Sequence, residues 1–154
     1  MHKVIDIFGE DKELIFSFFV IFSRFEYALK CAGFVRDVGR GAEVDWEAYE
    51  KSITGKFSAI KNSFKGLTND PPRKQILGKT GLEWGIIKKN ETKSYESYLL
   101  LLVKAVRNNL FHGGKYPFVN IDEPSRNIEL LKGSIEVINS CLRVSPNVKT
   151  LFEQ

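Results

Sequence analysis

Histidine and cysteine are scarce in this chain of 154 residues, with 2 of each, and there are only 5 Pro and 1 Met. The four candidate soft or imidazole ligands, His2, Cys31, His112 and Cys141, show no paired spacing, which argues against a tight metal cage such as a four-ligand zinc site. Cys31 and Cys141 lie far apart within helical patterns, so the sequence predicts two buried, reduced thiols in place of a disulfide framework. No apolar run approaches the ~20 residues that a bilayer span requires. The N-terminus, Met1-His2-Lys3-Val4-Ile5-Asp6, lacks the basic and apolar regions of a signal peptide, and a cytoplasmic protein with no membrane partner is expected. Gly-x-Ser-x-Gly is also missing. Gly78-Lys79-Thr80 matches only the end of a phosphate-binding loop, because Arg73 stands where the first glycine belongs and no flanking strand and helix are read. No cofactor is therefore expected.

What is present is a globular composition: 43% hydrophobic, 27% charged, with 12 Phe, 5 Tyr and 2 Trp. A chain of this length buries a continuous core, and residues 1–154 are read as one domain. The net charge of +4 suits a polyanionic partner but is shared by many proteins that bind none.

Apolar residues run almost unbroken from Leu14 to Phe22, and the helical pattern from Glu10 to Phe34 carries one polar stripe at Ser23, Glu26 and Lys30. Gly33, Gly39 and Gly41 mark a stop and a loop. Asp45 is an expected N-cap for a second helix, with Trp46, Tyr49, Ile53, Phe57 and Ile60 on one face. From Gly66 to Thr92 the pattern dissolves into a long connection. Tyr95, Tyr98, Leu99, Leu102, Val103 and Val106 restore a helix that stops at Gly113-Gly114. Asp122 and Glu123 suit the start of another, with Ile128, Leu131, Ile135, Ile138 and Leu142 on its face and Pro146 as its end. No strand alternation is read, so the expectation is an all-α bundle of about four main helices.

The chemistry concentrates in Lys104-Ala105-Val106-Arg107-Asn108-Asn109-Leu110-Phe111-His112-Gly113-Gly114. On an ideal helix Lys104, Asn108 and His112 share a face and Arg107 lies one row away. The same cations also suit an ordinary helix end, where they bond free carbonyls and complement the macrodipole.

Arg107-Asn108-Asn109-Leu110-Phe111-His112-Gly113 resembles the R-N-x-x-x-H motif of the HEPN superfamily, the higher eukaryotes and prokaryotes nucleotide-binding proteins. Arg24-Phe25-Glu26-Tyr27-Ala28-Leu29-Lys30 is similar, more weakly, to the first helix of plasmid-encoded and abortive-infection-type members. The resemblance implies a HEPN-like helical bundle of matching size. It further implies a metal-independent endoribonuclease, often a toxin or defence effector, whose motifs meet across a homodimer. Elementary chemistry agrees with that implication. RNA cleavage without metal uses the 2′-hydroxyl as nucleophile and needs proton transfer and stabilisation of charge at phosphorus. An unperturbed imidazole, with a pKa of ~6.5, can exchange protons at neutral pH, the role that falls to His112, and a guanidinium such as that of Arg107 grips phosphate oxygens through parallel donors. Asn108 can hold a phosphate oxygen or the imidazole. Glu26 is a supporting candidate as partner of Arg107 or His112, with a surface pair to Lys30 as its rival role. Lys104, Lys115 and Tyr116 are candidate RNA contacts, although Lys115 and Tyr116 equally suit the closing of a loop. The alternative is a catalytically silent HEPN module that binds RNA, a nucleotide, or a partner such as a nucleotidyltransferase antitoxin. Without the resemblance, the aromatic-rich first helix suggests a small helical dimerisation protein.

Overall fold

The computed structural model describes residues 12–111 and 124–154. Helix α1, Lys12–Cys31, buries Phe18, Phe22, Phe25, Ala28 and Leu29 at steps of three and four, which is why this segment forms an amphipathic rod instead of a span. It ends where Gly33 takes φ +95. Phe34 N–H then donates to the Leu29 carbonyl at 3.0 Å and Gly33 N–H to that of Lys30 at 3.1 Å, closing the last turn.

The fold is not all-α. The expected loop is a short antiparallel hairpin, β1 Val35–Asp37 with β2 Ala42–Val44, in register Val35 to Val44. The expected long connection holds a second, β3 Lys74–Leu77 with β4 Leu82–Gly85. Gly78-Lys79-Thr80 lies in its turn, closed by Gly78 N–H to the Gly81 carbonyl at 2.8 Å. A strand does precede this tripeptide, but a second strand comes after it where a phosphate-binding loop requires a helix.

Helix α2, Trp46–Ile53, starts as expected, with the Asp45 carboxylate accepting the Ala48 N–H at 3.0 Å. It stops about two turns short of the expected Ile60 because Gly55 adopts φ +80. Phe57 is nevertheless buried, since the buried Glu96 carboxylate accepts its N–H at 2.9 Å. A 3-10 stretch, Ser58–Phe64, leads into the single-turn α3, Lys65–Thr68. Helices α4, Tyr95–Phe111, and α5, Pro124–Val144, complete the core, with Leu99, Leu102, Val103, Leu131 and Ile138 buried between them and α1. Pro146 opens a further helix, α6 Pro146–Glu153, where the sequence suggests an end. Proline fits the first turn, whose N–H groups have no partner in the helix. The described residues thus form six α-helices and two small two-stranded sheets, and the four-helix all-α bundle is corrected accordingly.

Tyr49 lies at the centre, edge-on to Phe25 and Phe34, with its hydroxyl donating to the Cys141 carbonyl at 3.4 Å. Each such ring contributes about 2 kcal/mol through burial. Cys141 is buried as expected, but Cys31 is exposed, being the last residue of α1, beyond the buried Ala28 and Leu29. No helix of the described residues is long and apolar enough to cross a membrane.

Candidate functional site

The last turn of α4 meets the middle of α1, and this meeting brings together three of the expected site residues. Arg107 Nη1 donates to Asn108 Oδ1 at 2.9 Å, a bond that engages the amide oxygen and not the NH₂ donor of Asn108. The guanidinium carbon lies 5.7 Å from the Phe22 ring and 4.8 Å from the Phe111 ring, so Arg107 is held by two aromatic rings. Glu26, one turn beyond Phe22 on α1, is half-buried. Burial pushes its carboxyl above the usual range, and the charges of Arg107 and then Lys30 pull it partly back. Of the partners expected for Glu26, Arg107 and its rival Lys30 therefore both act on it, with Arg107 the stronger.

Lys104 is elsewhere. Its Nζ lies 3.2 Å from Glu50 Oε1 and 5.0 Å above the Trp46 ring, on the side facing α2. The ion pair and the ring account for its position, and Asn108 does not share it. His112, Lys115 and Tyr116 lie outside the described residues; His112 directly follows Phe111 in the chain.

Beside Arg107 the surface turns apolar. Ile15, Phe16, Phe19, Leu110 and Phe111 line an open groove of about 460 Å³, and the Phe19 and Phe111 rings are 5.1 Å apart. Phe16 is 68% exposed, an unusual position for phenylalanine, and Phe19 and Val20 on the same helix are exposed as well. A guanidinium and an amide beside an open apolar groove can bind an anion whose surroundings are then closed by another surface. Glu26 can hold the guanidinium or take up a proton nearby.

Two polar residues to which the sequence assigns no role of their own hold the fold: Glu96, whose buried carboxylate is structural, and Arg24, whose Nε donates to the Phe152 carbonyl at 3.0 Å at the end of α6. Only a buried position within an apolar run marks Glu96, and nothing local marks Arg24. Compared with family models, with curated proteins and with solved structures, the chain has no match.

Proposed function

We propose that the chain is a metal-independent endoribonuclease of the HEPN type, a toxin or defence effector that cleaves RNA by attack of the 2′-hydroxyl. The observation that carries this reading is the convergence of Arg107, Asn108 and Glu26 at one helix end, immediately before His112 in the chain. Arg107 and the Asn108 amide supply donors for phosphate oxygens. His112 supplies the proton transfer, and Glu26 positions the guanidinium. One chain offers one suitable imidazole, whereas cleavage needs both a base and an acid. A second copy seated on the Phe16, Phe19 and Phe111 groove would bring a second motif to the same cleft. A homodimer thus accounts for the uncovered phenylalanines and for the shortage of titratable groups together.

The test is a ribonuclease assay in excess EDTA, with wild type beside His112→Ala and Arg107→Lys. Lysine keeps a charge next to Glu26 and loses the parallel donors. Wild type should cleave; His112→Ala should lose at least about 100-fold, as removal of a general acid or base does, and Arg107→Lys about as much, as loss of a donor that stabilises developing charge does. Undiminished cleavage by His112→Ala would contradict the proposal. RNA binding with no cleavage by wild type would leave a binding module in its place.

A further inference from the structure

Between residues 76 and 86 the β3–β4 hairpin exposes Ile76, Leu77, Leu82, Trp84 and Ile86, and the candidate site uses none of them. Leu77 and Leu82 are 85% and 77% exposed. In the observed register Leu77 faces Leu82 and Gln75 faces Trp84, so both leucines and the indole share one face of the sheet. Contiguous apolar exposure of this kind marks an interaction surface. The hairpin is also held firmly at its root. Asn109 Nδ2 donates to the Arg73 carbonyl at 2.8 Å, Arg126 Nη2 to the Pro71 carbonyl at 3.0 Å, and Pro72 and Ile87 are buried. Its two strands form a sheet of their own, so each presents an outer row of backbone N–H and C=O groups.

Charge selects among the possible occupants. The hairpin and its flanks carry Arg73, Lys74, Lys79, Lys88 and Lys89 against Glu83 and Glu91, and Lys74 already pairs with Glu91 at 3.7 Å. A second copy would set this cationic rim against itself. Lys79 lies beyond the leucines in the turn, so insertion into a membrane tip-first would drive an ammonium deepest. Trp84 alone on this face offers a base a stacking surface, and the two most exposed side chains, Leu77 and Leu82, offer none, which favours a protein over a nucleic acid. We infer that the β3–β4 hairpin docks an acidic protein segment, which adds a strand to its edge and covers Leu77, Leu82 and Trp84 with alternating apolar side chains. The main chain supplies the pairing, the leucine face the specificity and the lysine rim the choice of sign. This surface is separate from the groove at Phe16 and Phe19, and the inference does not rest on ribonuclease activity.

The probe is a displayed library of random short peptides, selected against the wild-type protein and against Leu77→Lys/Leu82→Lys. Both changed side chains are exposed, so the variant should keep the wild-type circular dichroism. Selected peptides should alternate apolar residues with Asp or Glu and bind wild type at least tenfold more tightly than the double variant. Binding should weaken with added salt, and Lys79→Glu should weaken it severalfold. It should change an indole fluorescence signal that Trp84→Phe lacks. Enrichment that ignores the double variant, enrichment of basic peptides, or no enrichment would overturn the inference. Hairpin-dependent binding of phosphatidylglycerol vesicles or of single-stranded RNA, without such peptides, would assign the face to a membrane or to nucleic acid and overturn it equally.

Discussion

Cys31 and Cys141 differ in what surrounds the sulfur. Burial pushes the Cys141 thiol up to about 12, so it stays protonated and unreactive at neutral pH, while Cys31 stands exposed at the end of α1. A thiol-specific reagent at neutral pH should label one cysteine per folded chain, mapped by peptide mass to Cys31, and two after denaturation. Rapid labelling of Cys141 in the folded protein would show the core at Tyr49 to be open. Glu26 gives a second residue-scale prediction. Its folded carboxyl lies above the ordinary 4.5, so the stability it contributes is present below that value and is lost as pH rises through the raised value. Glu26→Gln escapes that loss. The urea midpoint of the variant should therefore gain on wild type from acid towards neutral pH, and a gain in the opposite direction would mean that Arg107 outweighs burial. Glu96 is a different carboxylate, serving as acceptor for the buried Phe57 N–H. Its replacement by Ala should cost about 2 kcal/mol in denaturant unfolding, because an unsatisfied donor and a void are left together.

At the scale of elements, close backbone approach decides which glycines can change. A Cβ on Gly133 of α5 would lie 2.9 Å from Leu67 Cβ and 3.3 Å from Leu67 N, atoms that α3 cannot move independently. The helix-propensity gain of about 1 kcal/mol is outweighed by such overpacking, and Gly133→Ala should destabilise by about 1 kcal/mol. On Gly66 the added carbon would meet the movable end of Glu129, at 2.8 Å from Oε2, so Gly66→Ala should change stability far less. Thermal melts of the two variants separate these cases. The helices are legible in the sequence wherever an apolar stripe persists for several turns, as at Leu99, Leu102 and Val106 or Leu131, Ile138 and Leu142. The hairpins are not, because strands of three or four residues are too short to establish alternation and Lys-Gln-Ile-Leu in β3 does not alternate. The apolar spacing of Phe57 and Ile60 carries the expected α2 past Gly55, whose left-handed backbone ends the helix. Pro146 reads as a stop and yet starts a helix, since the residue alone does not tell which side the helix lies on.

For the whole molecule, the site is legible in part: Arg107 and Asn108 adjoin in the chain, and a carboxylate on an apolar helix calls for a cation such as Arg107 beside Glu26. It also groups Lys104 with them, and only the tertiary position of Glu50 and Trp46 draws that side chain towards α2. A homodimer closing the phenylalanine groove should be seen by light scattering at micromolar concentration, and Phe16→Asp/Phe19→Asp should give a monomer with the wild-type circular dichroism. A wild-type monomer with full activity would separate cleavage from dimerisation. Chemistry is tested most directly by a single-stranded RNA with one 2′-deoxy nucleotide at a bond that the protein cuts, incubated in excess EDTA with the products read by mass. Attack by the ribose hydroxyl predicts that the modified bond alone is spared and that every other cut leaves a 2′,3′-cyclic phosphate and a 5′-hydroxyl. Equal cutting of the deoxy bond, or a requirement for magnesium, would contradict it.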